Sequence, residues 1–388
     1  MGKSGKGGSK KLYLTFIGFV LTSTLILIVI YYLQRFDTRG TVPPFEEGHH
    51  PSGQSLTCIG LIDKAISGGF QKMGVPREKV LFLPLVPTQK DDHRWNFTSI
   101  EARIPRSHNI FKAGEAIRQE ITALTIPVHI AIEVESADEI IYNLYCKEFH
   151  THRLKLAYET AVPSHRATPP RIAIIIDDLG YDKSLAREFI DLDIPLTLSI
   201  LPFTPYTNPI AQGARAAGRE IMLHLPMEPR SYPRINPGDG VLLVSMERDT
   251  IRKVLEGDLG EIPYVAGVNN HMGSRFTENK EKMTVVLSEL KRRGLYFVDS
   301  KTSRKSVAYD LAKQMKIRAG RRDVFLDNDL SKGALEIQMD RLLNLARHNG
   351  HAIGIGHPHK ETLGFLTRLQ LRIKDKAEVV PVSGLLGH

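Results

Sequence analysis

The chain has 388 residues, 42% of them hydrophobic and 24% charged, with a formal net charge of +9 and two cysteines. That length holds about two domains plus shorter segments, and the composition excludes large-scale disorder. The basic residues are spread along the chain with no aromatic-interleaved basic patch or DNA-reading motif, which argues against a nucleic-acid partner. An anionic membrane or cell-wall polymer accounts for the charge equally well.

Residues 1–11 are a basic tail carrying Lys3, Lys6, Lys10 and Lys11, and residues 12–33 have no charged side chain. The apolar run is long enough to cross a bilayer as a helix, at roughly 20 residues per span. Tyr31, Tyr32 and Arg35 stand where a signal peptide would show its small-residue cleavage site. The lysines are expected to stay in the cytoplasm, so the segment reads as a single-pass membrane anchor with the bulk of the chain outside. The glycine- and lysine-rich tail mimics a phosphate loop, but it follows no strand and leads into the apolar run. Cys58 and Cys146 lie in the exported part. They are free to form one disulfide in an oxidising compartment, and the sequence does not decide whether they do.

Residues 34–55, rich in Pro, Gly, Glu and His, read as a linker. A small α+β module of unassigned role follows over 56–160. Its expected elements are helices over 56–67 and 113–124, strands over 80–86, 95–104, 128–133 and 154–158, and a helix over 137–147 between the last two strands. Its histidines, His93, His108, His129, His150 and His152, are scattered and read as surface or structural groups.

A Pro-rich boundary over 161–170 introduces a different pattern, in which strands alternate with helices over 171–388. Expected strands are 172–176, 196–201, 220–225, 264–269, 295–298, 323–326, 352–356 and 378–382. Helices fit over 183–192, 207–217, 249–255, 280–292, 307–315, 334–348 and 361–373. Such alternation signals a parallel sheet, and seven or eight repeats predict a (β/α)7–8 barrel, with an open doubly wound sheet as the alternative. No G-x-G-x-x-G follows the first strand, which argues against a dinucleotide domain.

The strand ends carry the chemistry. Strand one runs from Arg171 through five apolar residues into Asp177-Asp178; others end at His224 and Glu228, at Asn269-Asn270-His271, at Asp299-Ser300, and at His357 and His359. In parallel α/β folds these C-terminal ends converge on the ligand site. Paired carboxylates repel unless a proton or cation separates them, and imidazoles with carboxylates suit a divalent ion such as zinc. Cobalt, manganese and iron accept similar donors. No G-x-S-x-G nucleophile motif occurs, and Ser274 and Ser300 lie in turn-like contexts.

The segment from Arg171 to about Ile373 resembles the divergent polysaccharide deacetylases, relatives of the NodB-homology carbohydrate esterases. Ile175-Ile176-Asp177-Asp178 is similar to the T-F-D-D motif of those esterases, which implies Asp177 as general base and Asp178 as metal ligand. His224-Leu-Pro-Met-Glu228 aligns with H-[ST]-x-x-H, Asp299 with the Asp-centred fourth motif, and Ile355-Gly-His357 with L-x-H, whose histidine is the catalytic acid. Glu228 replaces the second metal histidine, and Asn-Asn-His-Met-Gly-Ser replaces the arginine-proline third motif. The divergent branch shares V-N-N-H-M-G-S and G-H-P. His271 is therefore expected to supply the missing imidazole, with Glu228 in or beside the coordination shell, and Asn270, Asp299 and His359 near the substrate.

The resemblance implies a metal-dependent hydrolase, zinc the preferred ion, that removes acetyl groups from an envelope or extracellular polysaccharide. The membrane in question would be the bacterial inner (cytoplasmic) membrane, with the catalytic domain periplasmic or extracellular. The altered motifs also admit a catalytically silent, glycan-binding or envelope-assembly protein that keeps the fold.

Overall fold

The computed structural model describes residues 53–83, 86–90, 93–159, 169–369, 373 and 376–386. The basic tail, the apolar run and most of the linker lie outside them. Among the described residues no helix is long and apolar enough to cross a membrane.

The first described elements are α1 (Gly53–Lys72), β1 (Val80–Phe82), β2 (Val86–Lys90), β3 (His93–Ile104), α2 (Ile110–Thr122), β4 (Val128–Glu135), β5 (Glu139–Cys146) and β6 (Phe149–Tyr158). They form a sheet of order β1-β3-β6-β5-β4, with β2 paired to β3. The helix expected over 137–147 is instead the strand β5. Its apolar residues 140, 141, 144 and 145 satisfy helical spacing, but Ile140, Tyr142, Leu144 and Cys146 alternate into the core and β4 and β6 pair with it on both sides. Tertiary pairing overrides a short ambiguous pattern of this kind. Cys58 on α1 and Cys146 on β5 are joined in a disulfide, with Cα atoms 6.4 Å apart. Closing so long a loop restricts the unfolded chain by on the order of 4 kcal/mol in chain-entropy terms.

The second sheet is parallel and curled. Its elements are β7 (Arg171–Leu179), α3 (Lys183–Asp191), β8 (Thr197–Ile200), α4 (Thr207–Ala216), β9 (Glu220–Met227), α5 (Arg248–Glu261), β10 (Gly267–Met272), α6 (Lys280–Arg292), β11 (Tyr296–Asp299), α7 (Ala308–Gln314), β12 (Ala319–Arg321), β13 (Val324–Phe325), α8 (Lys332–Asn349), β14 (His351–Gly356), α9 (Lys360–Thr367), β15 (Glu378–Val379) and α10 (Val382–Leu385). Strand order is β12-β11-β10-β9-β8-β7-β14-β13, with β15 against β7. The repeat pattern is that of the expected barrel, but the barrel is open: its end strands, β12 and β13, follow one another in the chain without pairing among the described residues. They are only three and two residues long and joined by Arg322-Asp323, too short to close the ring.

Alternation along each strand divides the core in two. Ile172, Ile174, Ile176, Leu198, Leu223, Leu225, Val268 and Phe297 face the helices, whereas Ala173, Ile175, Met222, Tyr296, Val298, Ile353 and Ile355 fill the curl. Gly267 has to be glycine, because a Cβ there would lie 2.2 Å from the Tyr296 ring. The N-terminal end of the curl is closed by α10, whose Val382 and Leu385 join the inner core and whose first amide donates to Thr197 Oγ1.

The two sheets meet along α8. Asn344 donates to the Val80 carbonyl at 2.6 Å, Arg77 pairs with Glu336 and Asp340, and Ile337 enters the first core. Arg341 and Asp63 face one another at 3.8 Å beside His152, all three buried.

Asp258 on α5 is buried beneath Gly240, and neither of its carboxylate oxygens has a hydrogen-bond partner. Burial, followed by the charge of Glu261, raises its pKa from 3.8 to about 8. A raised carboxyl pKa means that the unfolded chain ionises first, so folded stability falls as pH rises from about 4 towards 8. Asp258→Asn is expected to raise the melting temperature at neutral pH and leave it unchanged at pH 3, measured by calorimetry across that range.

Candidate metal centre and active site

Inward-facing positions of the parallel strands carry the polar residues at the open mouth. Continuing the inner face upward gives Asp177 after Ala173 and Ile175, His224 after Met222, and His357 after Ile353 and Ile355; on β10 it gives Asn269 and His271. Asp178 breaks this alternation. The β7–β8 register shifts between Ile176 and Leu179, and Asp178 takes φ 55°. A bulge with a left-handed non-glycine residue stores strain, and it re-aims the side chain. Consecutive aspartates thereby reach the same cavity.

Asp178 Oδ1 lies 3.0 Å from His224 Nε2 and 2.9 Å from His271 Nδ1, and the two nitrogens are 3.1 Å apart. All three residues are buried. They form the one His/Cys/Asp/Glu group among the described residues able to hold a metal ion. The carboxylate oxygens of Asp178 have no hydrogen-bond donor of good geometry, nor does His271 Nε2. Asp178 Oδ1, His224 Nε2 and His271 Nδ1, crowded together in a buried pocket, offer one ligand atom each and fit a divalent cation. Burial acts to raise the Asp178 pKa, but His271 and His224 beside it outweigh that and hold the carboxyl well below its ordinary range. Burial lowers the His271 pKa despite Asp178 beside it. The carboxylate and the neutral imidazole are the forms that ligate.

The outer nitrogen of His224, Nδ1, donates to Asn269 Oδ1 at 2.8 Å, which leaves the lone pair on Nε2. The amide nitrogen of Asn269 donates to both oxygens of Asp177, at 2.8 and 3.1 Å. Ser199 Oγ adds a donor to Asn269 Oδ1 at 2.6 Å. One amide therefore fixes the His224 ring and orients Asp177 next to the pocket.

Across the mouth, His357 Nδ1 bonds Asp327 Oδ1 at 2.8 Å, while Asp327 Oδ2 accepts from the His357 backbone N–H and from Thr362 Oγ1. Burial opposes a charge on His357, but the Asp327 carboxylate overcomes it, helped by Asp178 and Asp177, and raises the pKa to about 9.

The remaining sequence candidates lie apart from this group. Glu228 is buried, but Arg275 Nη1 binds its Oε1 at 2.7 Å and the Val244 amide binds Oε2. It braces the loop after β9 and is not in the Asp178-His224-His271 cluster. Asn270 ties Met272 O to Thr302 Oγ1 and the Ser300 amide. Asp299 faces outward, taking Ser306 Oγ and the amides of Lys301 and Tyr309. His359 lies next to His357, rings 6.4 Å apart, and burial lowers its pKa. Sequence reading missed Asn269, Asp327 and Ser199. Asn269 sits two residues before His271, so strand alternation selects it over Asn270. Asp327 ends a strand just as the named acids do.

A family model for divergent polysaccharide deacetylases matches residues 174–386. The uncharacterized protein YibQ of Escherichia coli (strain K12) is 33% identical over 218 residues, covering 56% of this chain and 68% of that protein. An uncharacterized protein of Haemophilus influenzae is 32% identical over 215 residues, 55% of this chain and 75% of its own. The crystal structure of an uncharacterized protein from Agrobacterium tumefaciens C58 is 30% identical with a TM-score of 0.55, covering 58% of this chain and 92% of that one.

Titration calorimetry with a divalent cation is expected to show one tight site that Asp178→Ala abolishes. Asn269→Ala, which touches no ion, is expected to weaken that site by about 10–100-fold.

Proposed function

The chain belongs to the divergent polysaccharide deacetylase family, and from that premise we propose that it is a metal-dependent hydrolase removing acetyl groups from an envelope polysaccharide. The observation that carries the proposal is the convergence of Asp178, His224 and His271, with donor atoms 2.9–3.1 Å apart, between an oriented carboxylate and an oriented imidazolium.

Asp178, His224 and His271 would hold the ion, with zinc preferred for its two imidazoles and one carboxylate. A cation held there would supply Lewis acidity towards the acetyl carbonyl and would acidify a water in the pocket. Asp177 accepts the proton of the attacking water, its lone pairs aimed by the Asn269 amide. His357 donates a proton to the departing amine or alcohol, and Asp327 keeps it charged and fixed at Nδ1. Val382 and Leu385 of α10 fill the bottom of the curl, so substrate enters at the mouth.

The basic tail and apolar run support attachment to the bacterial inner membrane with this domain outside. The Cys58–Cys146 disulfide fits an oxidising compartment.

Acetate release from acetylated glycans should require added zinc in chelator-treated protein. Asp177→Asn and His357→Gln are each expected to lower kcat by about 10²–10⁴-fold without unfolding the protein. Absence of metal-dependent release from every acetylated glycan tried, with folded protein, would refute the reading and favour a silent glycan binder. His357 acts while protonated, so turnover is expected to fall as pH rises towards about 9. A bound cation offsets the field of Asp178 and moves that limb lower. The charged His357–Asp327 pair also supports the fold: the His357 share is complete below pH 6.5 and lost as pH rises through about 9, and the share of Asp327, whose pKa is lowered, is lost as pH falls below 3.8.

A further inference from the structure

The small N-terminal module meets the parallel sheet along α8, and it meets it again at the mouth. The curl is open between its end strands, β12 and β13. On one side of that gap the loop leaving β11 carries Arg304, whose Nη2 donates to the Trp95 carbonyl at 2.9 Å and to the Thr88 carbonyl at 3.2 Å. Thr88 and Trp95 are cross-strand partners in the β2–β3 hairpin, so one guanidinium holds both of its strands. On the other side the loop leaving β13 carries Asp329, whose Oδ2 lies 3.1 Å from Nζ of Lys64 on α1. Both loops leave the C-terminal ends of their strands. The module therefore spans the gap at the end of the sheet where the catalytic groups stand.

Each anchoring loop also serves the catalytic set. Asp327, just before Asp329, holds His357. Ser300, upstream of Arg304, accepts from the Asn269 amide at 3.3 Å, and Thr302 donates to the carbonyl of Met272, the neighbour of His271, at 2.8 Å. The hairpin is braced from its own side too. Trp95 is buried, its Nε1 donates to His150 O at 2.7 Å, and its ring meets Phe149 edge-on with centroids 5.0 Å apart. Attachment does not need the contacts at the mouth, because Ile337, Asn344 and the Arg77 ion pairs already join the two sheets along α8. Lys64 and Asp329 are 36% and 50% exposed, and an ion pair so wet adds little stability. What these contacts supply is position.

A site for a single sugar needs only the cavity beneath the mouth. A wall beside the mouth reaches the neighbouring sugars, and binding energy from such remote groups orients the reacting one. Ligand clefts form preferentially between packed units. We propose that the β2–β3 hairpin, set in place by Arg304, is one wall of a glycan cleft and contacts the sugars next to the one that enters the metal centre. Arg304 is then a positioning residue, and the module over 56–160 selects a chain of sugars over a single one. This deepens the deacetylase reading, from which it takes the word substrate but not the binding itself.

The experiment is equilibrium binding without turnover, comparing wild type with R304Q. The probes are chitopentaose, acetylated xylopentaose and a peptidoglycan tetrasaccharide. The oligosaccharide that wild type binds best is expected to bind R304Q about ten-fold more weakly. Zinc affinity and melting temperature should not change, because Arg304 touches neither the metal centre nor α8. R304K keeps the charge and a donor and is expected to lose only about three-fold; it replaces R304Q in the comparison if the glutamine variant unfolds. Equal oligosaccharide affinity in wild type and variant overturns the proposal, as does failure of the wild type to bind any of the three. A loss matched by falls in zinc affinity and melting temperature in both variants marks a mere brace and overturns it too. The expected loss in a protein that releases no acetate would leave the wall standing and refute the hydrolase alone.

Discussion

The arrangement at the mouth depends on a single amide. Asn269 Oδ1 can only accept, so His224 has to present a proton at Nδ1 and a lone pair at Nε2, and Ser199 has to donate. The nitrogen end can only donate, and it meets the carboxylate of Asp177. Turning the amide over would set its oxygen against that carboxylate, a repulsive contact without solvent to relieve it. One buried group therefore decides the tautomer of His224 and the direction of the Asp177 carboxylate. It does so from the middle of a strand, where the backbone is fixed by neighbours on both sides.

The second constraint is geometrical. Strand alternation allows one of two adjacent residues to point inward, yet Asp177 and Asp178 both serve the cavity. The bulge at the end of β7 supplies the missing rotation, with Asp178 held at positive φ. Strain of this kind persists where surrounding contacts over-determine it. Here those contacts are backbone hydrogen bonds just after the bulge, from the Leu201 amide to Leu179 O and from the Tyr206 amide to Gly180 O.

Much of this was legible before any coordinates. Continuous apolar runs ending in acids or histidines marked the strands of a parallel sheet and their functional ends, and the structure gathers Asp177, Asp178, His224, His271 and His357 at one mouth. Four kinds of information were not legible. Whether a polar residue faces inward depends on register, so Asn270 and Asp299 stood out in the sequence while Asn269 and Asp327 did not. Closure of the barrel depends on whether β12 and β13 can pair, and two strands so short leave no periodic signal. Strand β5 carries apolar residues spaced for a helix, and only its pairing with β4 and β6 makes it a strand. The Cys58–Cys146 bond likewise needed a distance that no spacing supplies.

The departures from the esterase motifs find a physical account in the same geometry. Glu228 stands where a second histidine would be and is turned to Arg275 and Val244, while the imidazole comes from His271 on the next strand. Donor count is kept although the sequence position changes. X-ray absorption spectroscopy of the zinc-loaded protein tests this exchange most directly. The account predicts two imidazole nitrogens and a carboxylate oxygen around the metal, with one imidazole lost in His271→Ala and the spectrum unchanged in Glu228→Gln. A shell that keeps both imidazoles in His271→Ala, or that loses a ligand in Glu228→Gln, would contradict it.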